Sequence, residues 1–91
     1  MKLVVAIVLD RDAGNAIGEL TRRGYGVTRI NTYGGFLKRG NATILAGVED
    51  NETTTVIEIL RQTCGTPEVT SEGVRATGVA FVLPVIASVK M

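Results

Sequence analysis

Leu3 to Leu9 is a nearly unbroken run of Val, Ile, Leu and Ala. Such a run marks a strand covered on both faces or lying at a sheet centre. Asp10-Arg11-Asp12 ends it and offers a helix N-cap. Ala13, Ile17 and Leu20, with Ala16 alongside, then recur at helical spacing. Arg22 and Arg23 suit the negative end of a helix dipole, and Gly24 suits a left-handed stop. The spacing therefore predicts a helix from about Ala13 to Arg23. Tyr25 to Thr32 alternates between two unlike faces, as a strand does. Gly34-Gly35 and Lys38-Arg39-Gly40-Asn41 carry turn chemistry, and Thr43 to Val48 reads as a third strand. Glu49-Asp50-Asn51-Glu52 opens a second helix, whose apolar face is Val56, Ile59, Leu60 and Thr63, with Ile57 beside them. Cys64-Gly65-Thr66-Pro67 stops it. Glu68 to Ala76 is polar and shows no helical period. Val79 to Val85, extending toward Val89, is the last strand, and Pro84 argues for an edge position or a bulge.

The order is βαββαβ. Two split βαβ units joined by a hairpin predict a ferredoxin-like α+β sandwich, with both helices on one face of an antiparallel sheet. The strands, the first above all, are apolar on both sides. A sheet face without helices then needs another cover, and further copies of the chain are the economical one.

The length of 91 residues fits one domain, 1–91. A chain of this size buries only about 60–65% of its unfolded surface, which favours stabilisation by association. The net charge of +1 creates no general field for nucleic acid or an anionic membrane. No apolar run approaches the ~18 residues of a membrane span, and the N-terminal run lacks the cleavage site of a signal peptide. A lone cysteine, Cys64, excludes an internal disulfide and fits a reducing cytoplasm.

Catalytic constellations fail on residue type. The chain has no histidine, so Ser, Thr and Cys lack the usual base. Cys64 follows a helix C-terminus, which raises a thiol pKa. Asp10/Asp12 and the Glu49–Glu52 cluster sit at helix starts, where capping explains them. No residue set resembles a metal site, and no cofactor is expected. The chain reads as a non-enzyme.

The exception is Thr32-Tyr33-Gly34-Gly35-Phe36-Leu37-Lys38-Arg39-Gly40-Asn41. Gly34-Gly35 permits a backbone that crowds a ligand. Phe36 and Leu37 follow directly, at a tip that normally avoids exposed apolar groups. Backbone N–H groups, an aromatic ring and the cations Lys38 and Arg39 at one place suit a phosphate joined to a flat base. A tight hairpin with Phe36 tucked into its own core accounts for the same residues equally well. The motif is not a P-loop: no Gly-Lys-Ser/Thr follows, and a strand rather than a helix comes next.

These residues resemble the PII-like cyclic di-AMP receptor family. Met1 to Val8 is similar to the family's first strand. Thr32 to Thr43 is similar to its T-x-GGFL-x-x-GN-x-T signature, Leu45-Ala46-Gly47-Val48 continues it, and Gln62-Thr63-Cys64-Gly65 matches the end of its second helix. The resemblance covers most of residues 1–66 and resumes from Val79 to Pro84. It implies a trimer of PII-like ferredoxin-fold subunits with a nucleotide pocket at each interface. It carries ligand contacts over to Thr28, Gly35, Phe36, Leu37, Asn41 and Gly47. Thr28 and Asn41 would hydrogen-bond phosphate or base; Gly35, Phe36 and Leu37 would supply N–H groups and an apolar wall; Gly47 would let the ligand approach the third strand.

Two departures stand out. The family often has arginine two residues before the position of Thr28, where this chain has Gly26. Arg29 is near in sequence, but on a strand it faces away from Thr28. The receptors also carry a long loop between the second helix and the last strand; here Cys64 to Thr77 replaces it, with Arg75 as its cation. The resemblance implies a bacterial nucleotide-sensing signal protein with cyclic di-AMP as ligand and an unidentified downstream protein partner. The alternative is a PII-like regulator that binds an adenine mononucleotide or small metabolite and controls a transporter or enzyme. A metal-tolerance trimer is disfavoured by the missing histidines, and a ligand-free structural trimer is the remaining class.

Overall fold

The computed structural model describes residues 1–32, 41–65, 68–71 and 73–91. Strand β1 spans Lys2–Leu9, helix α1 Asp10–Arg22, β2 Val27–Thr32 and β3 Asn41–Val48. A 3₁₀ turn over Asp50–Glu52 leads into α2, Thr53–Thr63. Two short strands follow, β4 (Glu68–Thr70) and β5 (Gly73–Arg75), and β6 (Gly78–Pro84) closes the sheet. The main sheet has four strands in the order β2-β3-β1-β6. Its pairs are all antiparallel. This is the ferredoxin-like α+β arrangement that the alternation of periods predicts.

One face of the sheet makes the core. Val4, Ala6 and Val8 of β1 and Ala42, Ile44, Ala46 and Val48 of β3 are buried with Ala13, Ala16 and Leu20 of α1 and Val56, Ile59 and Leu60 of α2. The alanines at Ala13 and Ala16 let α1 lie close to the strands, because a small side chain shortens the distance between packed backbones. The helical period chose these residues correctly.

Helix α1 ends as its sequence demands. Gly24 takes φ +89°, a conformation that carries no Cβ penalty in glycine. The Gly24 N–H donates to the Thr21 carbonyl at 3.0 Å and the Tyr25 N–H to the Leu20 carbonyl at 3.0 Å. That bond pair is a Schellman close, which satisfies two carbonyls of the last turn. The start of α1 differs from expectation. The helix begins at Asp10, three residues early, with Leu9 in the cap position and no side-chain cap bond. Asp10 instead ion-pairs with Arg29 (3.6 Å). The second acidic cluster behaves alike, with no side-chain cap bond at either helical start. Asp50 pairs with the amino group of Met1 at 2.8 Å, and Glu52 accepts the Tyr25 hydroxyl. Partners from other elements were invisible to local spacing, and they claim these carboxylates.

The segment after α2 also departs from the sequence reading. The structure forms a two-stranded β4–β5 hairpin where no element was expected, with Val69 opposite Val74. Both valines are exposed. The base of the arm is tied by the buried Thr77, whose hydroxyl donates to the Gly65 carbonyl at 3.4 Å. Strands of three residues give too short an alternation to be read as a period.

Candidate functional site

Among the described residues, the second face of the sheet carries no helix. Its rows follow from the register. Thr28, Leu45, Val5 and Phe81 lie side by side across the four strands, and so do Ile30, Thr43, Ile7 and Val79. A third row joins Gly47, Leu3 and Leu83. Ile30, Phe81 and Leu83 are 43%, 40% and 47% exposed, and Leu3, Val5, Ile7 and Leu45 are half-buried. A nearly continuous apolar surface of this kind on a small domain marks an interaction face.

The expected ligand residues fall on this face as far as the structure describes them. Thr28 is exposed on the edge strand β2, opposite Leu45. Gly47 is exposed on β3, opposite Leu3. Asn41, 6% exposed, opens β3 between Thr32 and Leu9. Thr28 and Gly47 are thus diagonal neighbours, while Asn41 lies six residues, roughly 20 Å, along the strand from Gly47. Strand parity puts all three on one side of the sheet. The span is too wide for one compact pocket within a copy.

Gly35, Phe36 and Leu37 lie outside the described residues, as do the rest of 33–40 with Lys38 and Arg39. The side chain of Arg75 is likewise outside them. Strand alternation is seen at Arg29, which sits opposite Ile44 on the helix side of β2 and reaches toward Asp10. It leaves the position of Gly26 without a cationic substitute from this residue.

A concavity among the described residues lies elsewhere. A groove of about 590 Å³ runs on the helix side of β6, between that strand and α2. Its walls include Leu60, Arg61, Cys64, Gly78 and Ala80. Among the described residues of the expected ligand set, Thr28, Asn41 and Gly47, none lines it. Pattern reading missed it because it arises where the helices stop short of the edge strand. Cys64 is buried there, and burial is the main cause that pushes its thiol pKa up, with Asp12 adding to it against a hydrogen bond to Thr63. The sequence reading had the direction right but assigned it to the helix terminus.

Among the described residues no three His, Cys, Asp or Glu side chains are grouped to hold a metal ion. No described helix is long and apolar enough to cross a membrane.

Comparison with known proteins agrees with this geometry. A solved structure titled as a functionally unknown protein from Pediococcus pentosaceus ATCC 25745 superposes with a TM-score of 0.81. It is 29% identical, and the match covers 99% of this chain and 96% of that one. The family described as cyclic-di-AMP receptor matches residues 1–90. With nearly the whole length matched and the fold in agreement, the chain belongs to the cyclic-di-AMP receptor family.

Proposed function

We propose that the chain is a nucleotide-sensing signal protein that binds cyclic di-AMP at the interfaces of a homotrimer, without catalysis. The observation that carries this reading is the helix-free sheet face. Thr28, Asn41 and Gly47 share it with a broad apolar surface. A second copy that covers the surface would also narrow the space around those residues. Gly35, Phe36 and Leu37 complete the proposed contact set from the segment that joins β2 to β3. A ligand with two bases and two phosphates suits a site spread along a strand better than a compact one does. Binding would present a new surface to a downstream protein in the bacterial cytoplasm.

Calorimetry on the purified protein tests this. Cyclic di-AMP is expected to release heat at one site per subunit, and Asn41→Ala to abolish it with the fold retained by circular dichroism. Silence with cyclic di-AMP at millimolar concentration overturns the reading. A second reading rests on one observation: β4 and β5 have three residues each. So short an arm encloses less than the family's long loop, and this favours an adenine mononucleotide or small metabolite. Heat with ATP, ADP or AMP, but none with cyclic di-AMP, selects it.

A further inference from the structure

Thr28 and Gly47 lie at one end of the ladder between β2 and β3. Pairing starts with Val27 opposite Ala46, and Thr28 opposite Leu45 is the second pair. Gly47 lies one residue past the first pair and is held from the other side, by Leu3 of β1. The spacing between Thr28 and Gly47 therefore depends on how firmly the start of β2 stays against β3. Strand β2 is terminal in the order of the four-stranded sheet, and the ends of a ladder open before its middle.

A side-chain bond crosses this end. The Tyr25 hydroxyl donates to the Glu52 carboxylate, joining residues 27 apart in sequence. Both partners are anchored through the main chain. The Tyr25 N–H donates to the Leu20 carbonyl at 3.0 Å in the close of α1, and the Glu52 N–H to the Glu49 carbonyl at 2.9 Å in the turn after β3. The bond thus ties the chain entering β2 to the chain leaving β3. It is partly buried and has a carboxylate as acceptor, which makes it stronger than a bond between neutral groups. It also raises the pKa of the Tyr25 hydroxyl, which stays a donor at neutral pH. The Arg29–Asp10 ion pair reaches β2 as well, but both partners are exposed, and such pairs contribute little.

We propose that Tyr25 and Glu52 are positioning residues of the ligand site, whose bond keeps Thr28 at the distance from Gly47 that receives cyclic di-AMP. Tyr25 does not act by touching the ligand. Tyr25 and Val27 pack against the core on the helix side of the sheet, whereas Thr28 and Gly47 lie on the other face. Tyr25 therefore acts through the main chain, on a residue three positions along. Without its hydroxyl the start of β2 spends part of its time open. Apparent affinity then falls in proportion to the fraction of copies that stay closed. The inference rests on the proposed ligand site and names what holds that site in shape.

Calorimetry with cyclic di-AMP on full-length variants tests it. Tyr25→Phe keeps the ring and its packing and removes only the hydroxyl. It is expected to weaken binding about fivefold or more. Glu52→Ala should weaken it by a similar factor, and the double variant by no more than either alone, because all three lose one and the same bond. Glu52→Gln keeps an acceptor oxygen and should stay within about twofold of the wild type. Ile59→Val, in the core of α2, removes comparable stability away from the site and should also bind within about twofold of the wild type. Full affinity in Tyr25→Phe overturns the inference and leaves the ligand site standing. So do an additive double variant, a Glu52→Gln as weak as Glu52→Ala, or an equal loss in Ile59→Val. Wild-type protein that gives no heat with cyclic di-AMP overturns the proposed function and this inference with it.

Discussion

Leu83→Asp is the sharpest test of the open sheet face. Leu83 sits on β6 opposite Leu3 and leaves 47% of its surface exposed within one copy. Full burial of a leucine is worth about 1.5–3 kcal/mol. Covering the remaining half is therefore worth about 1 kcal/mol in an assembly. Ile30 and Phe81, exposed to 43% and 40%, raise the sum for the three residues to about 3 kcal/mol per copy. An unpaired carboxylate placed at a covered position adds a desolvation penalty of several kcal/mol. Leu83→Asp should thus weaken association by at least about 3 kcal/mol per copy, more than a hundredfold in the association constant. Within one copy it removes only the half of the leucine already buried, about 1 kcal/mol. A domain of this length has about 5–14 kcal/mol of stability, so the variant remains folded. Sedimentation velocity over a range of concentrations reads the assembly, and far-ultraviolet circular dichroism reads the fold. An unchanged trimer refutes the claim that this face is the contact between copies. A wild-type monomer at high concentration refutes it as well.

Three further outcomes check the interior. Leu20 is fully buried between the helices and sheet, and Leu20→Ala is expected to cost about 3–5 kcal/mol, read from urea midpoints; a loss below about 1 kcal/mol contradicts the assigned core. Gly24→Ala forces an alanine to φ +89° and should cost about 1–2 kcal/mol, whereas Gly18→Ala, exposed inside α1 with open space at its Cβ, should stabilise by about 0.5–1 kcal/mol. Burial raises the Cys64 pKa, so the folded state favours the neutral thiol; this contribution is full below the thiol's unfolded pKa and is lost as pH rises through the folded value. Native Cys64 should react with a maleimide at mildly alkaline pH at least about a hundredfold more slowly than the urea-unfolded chain, because only the exposed thiolate reacts.

Much of the fold was legible because the period of apolar residues is set by the backbone itself. Side chains repeat every 3.6 residues on a helix and every two on a strand, so Ala13, Ala16 and Leu20 or Val4, Ala6 and Val8 declare their face without reference to anything distant. Gly24 announced the end of α1 because only its backbone conformation was at stake. The failures share a cause too. Asp10 and Glu52 looked like caps because local sequence offered no other partner, yet Arg29 and Tyr25 reach them from elsewhere in the fold. The β4–β5 hairpin escaped because three residues do not make a period.

The candidate site divides in the same way. By itself the sequence determined the family, through the motif from Thr32 to Thr43, and the parity that turns Thr28 away from Arg29. It also implied that one sheet face lacks helices, since β1 is apolar on both sides while the chain holds only two helices. Tertiary structure alone decided which residues share that face across four strands, because register is a relation between segments distant in sequence. It set Thr28 beside Gly47 and left Asn41 far along β3. It also left the groove beside β6, where the covering helix ends and two small side chains begin, a feature that exists only between elements and so has no period to betray it.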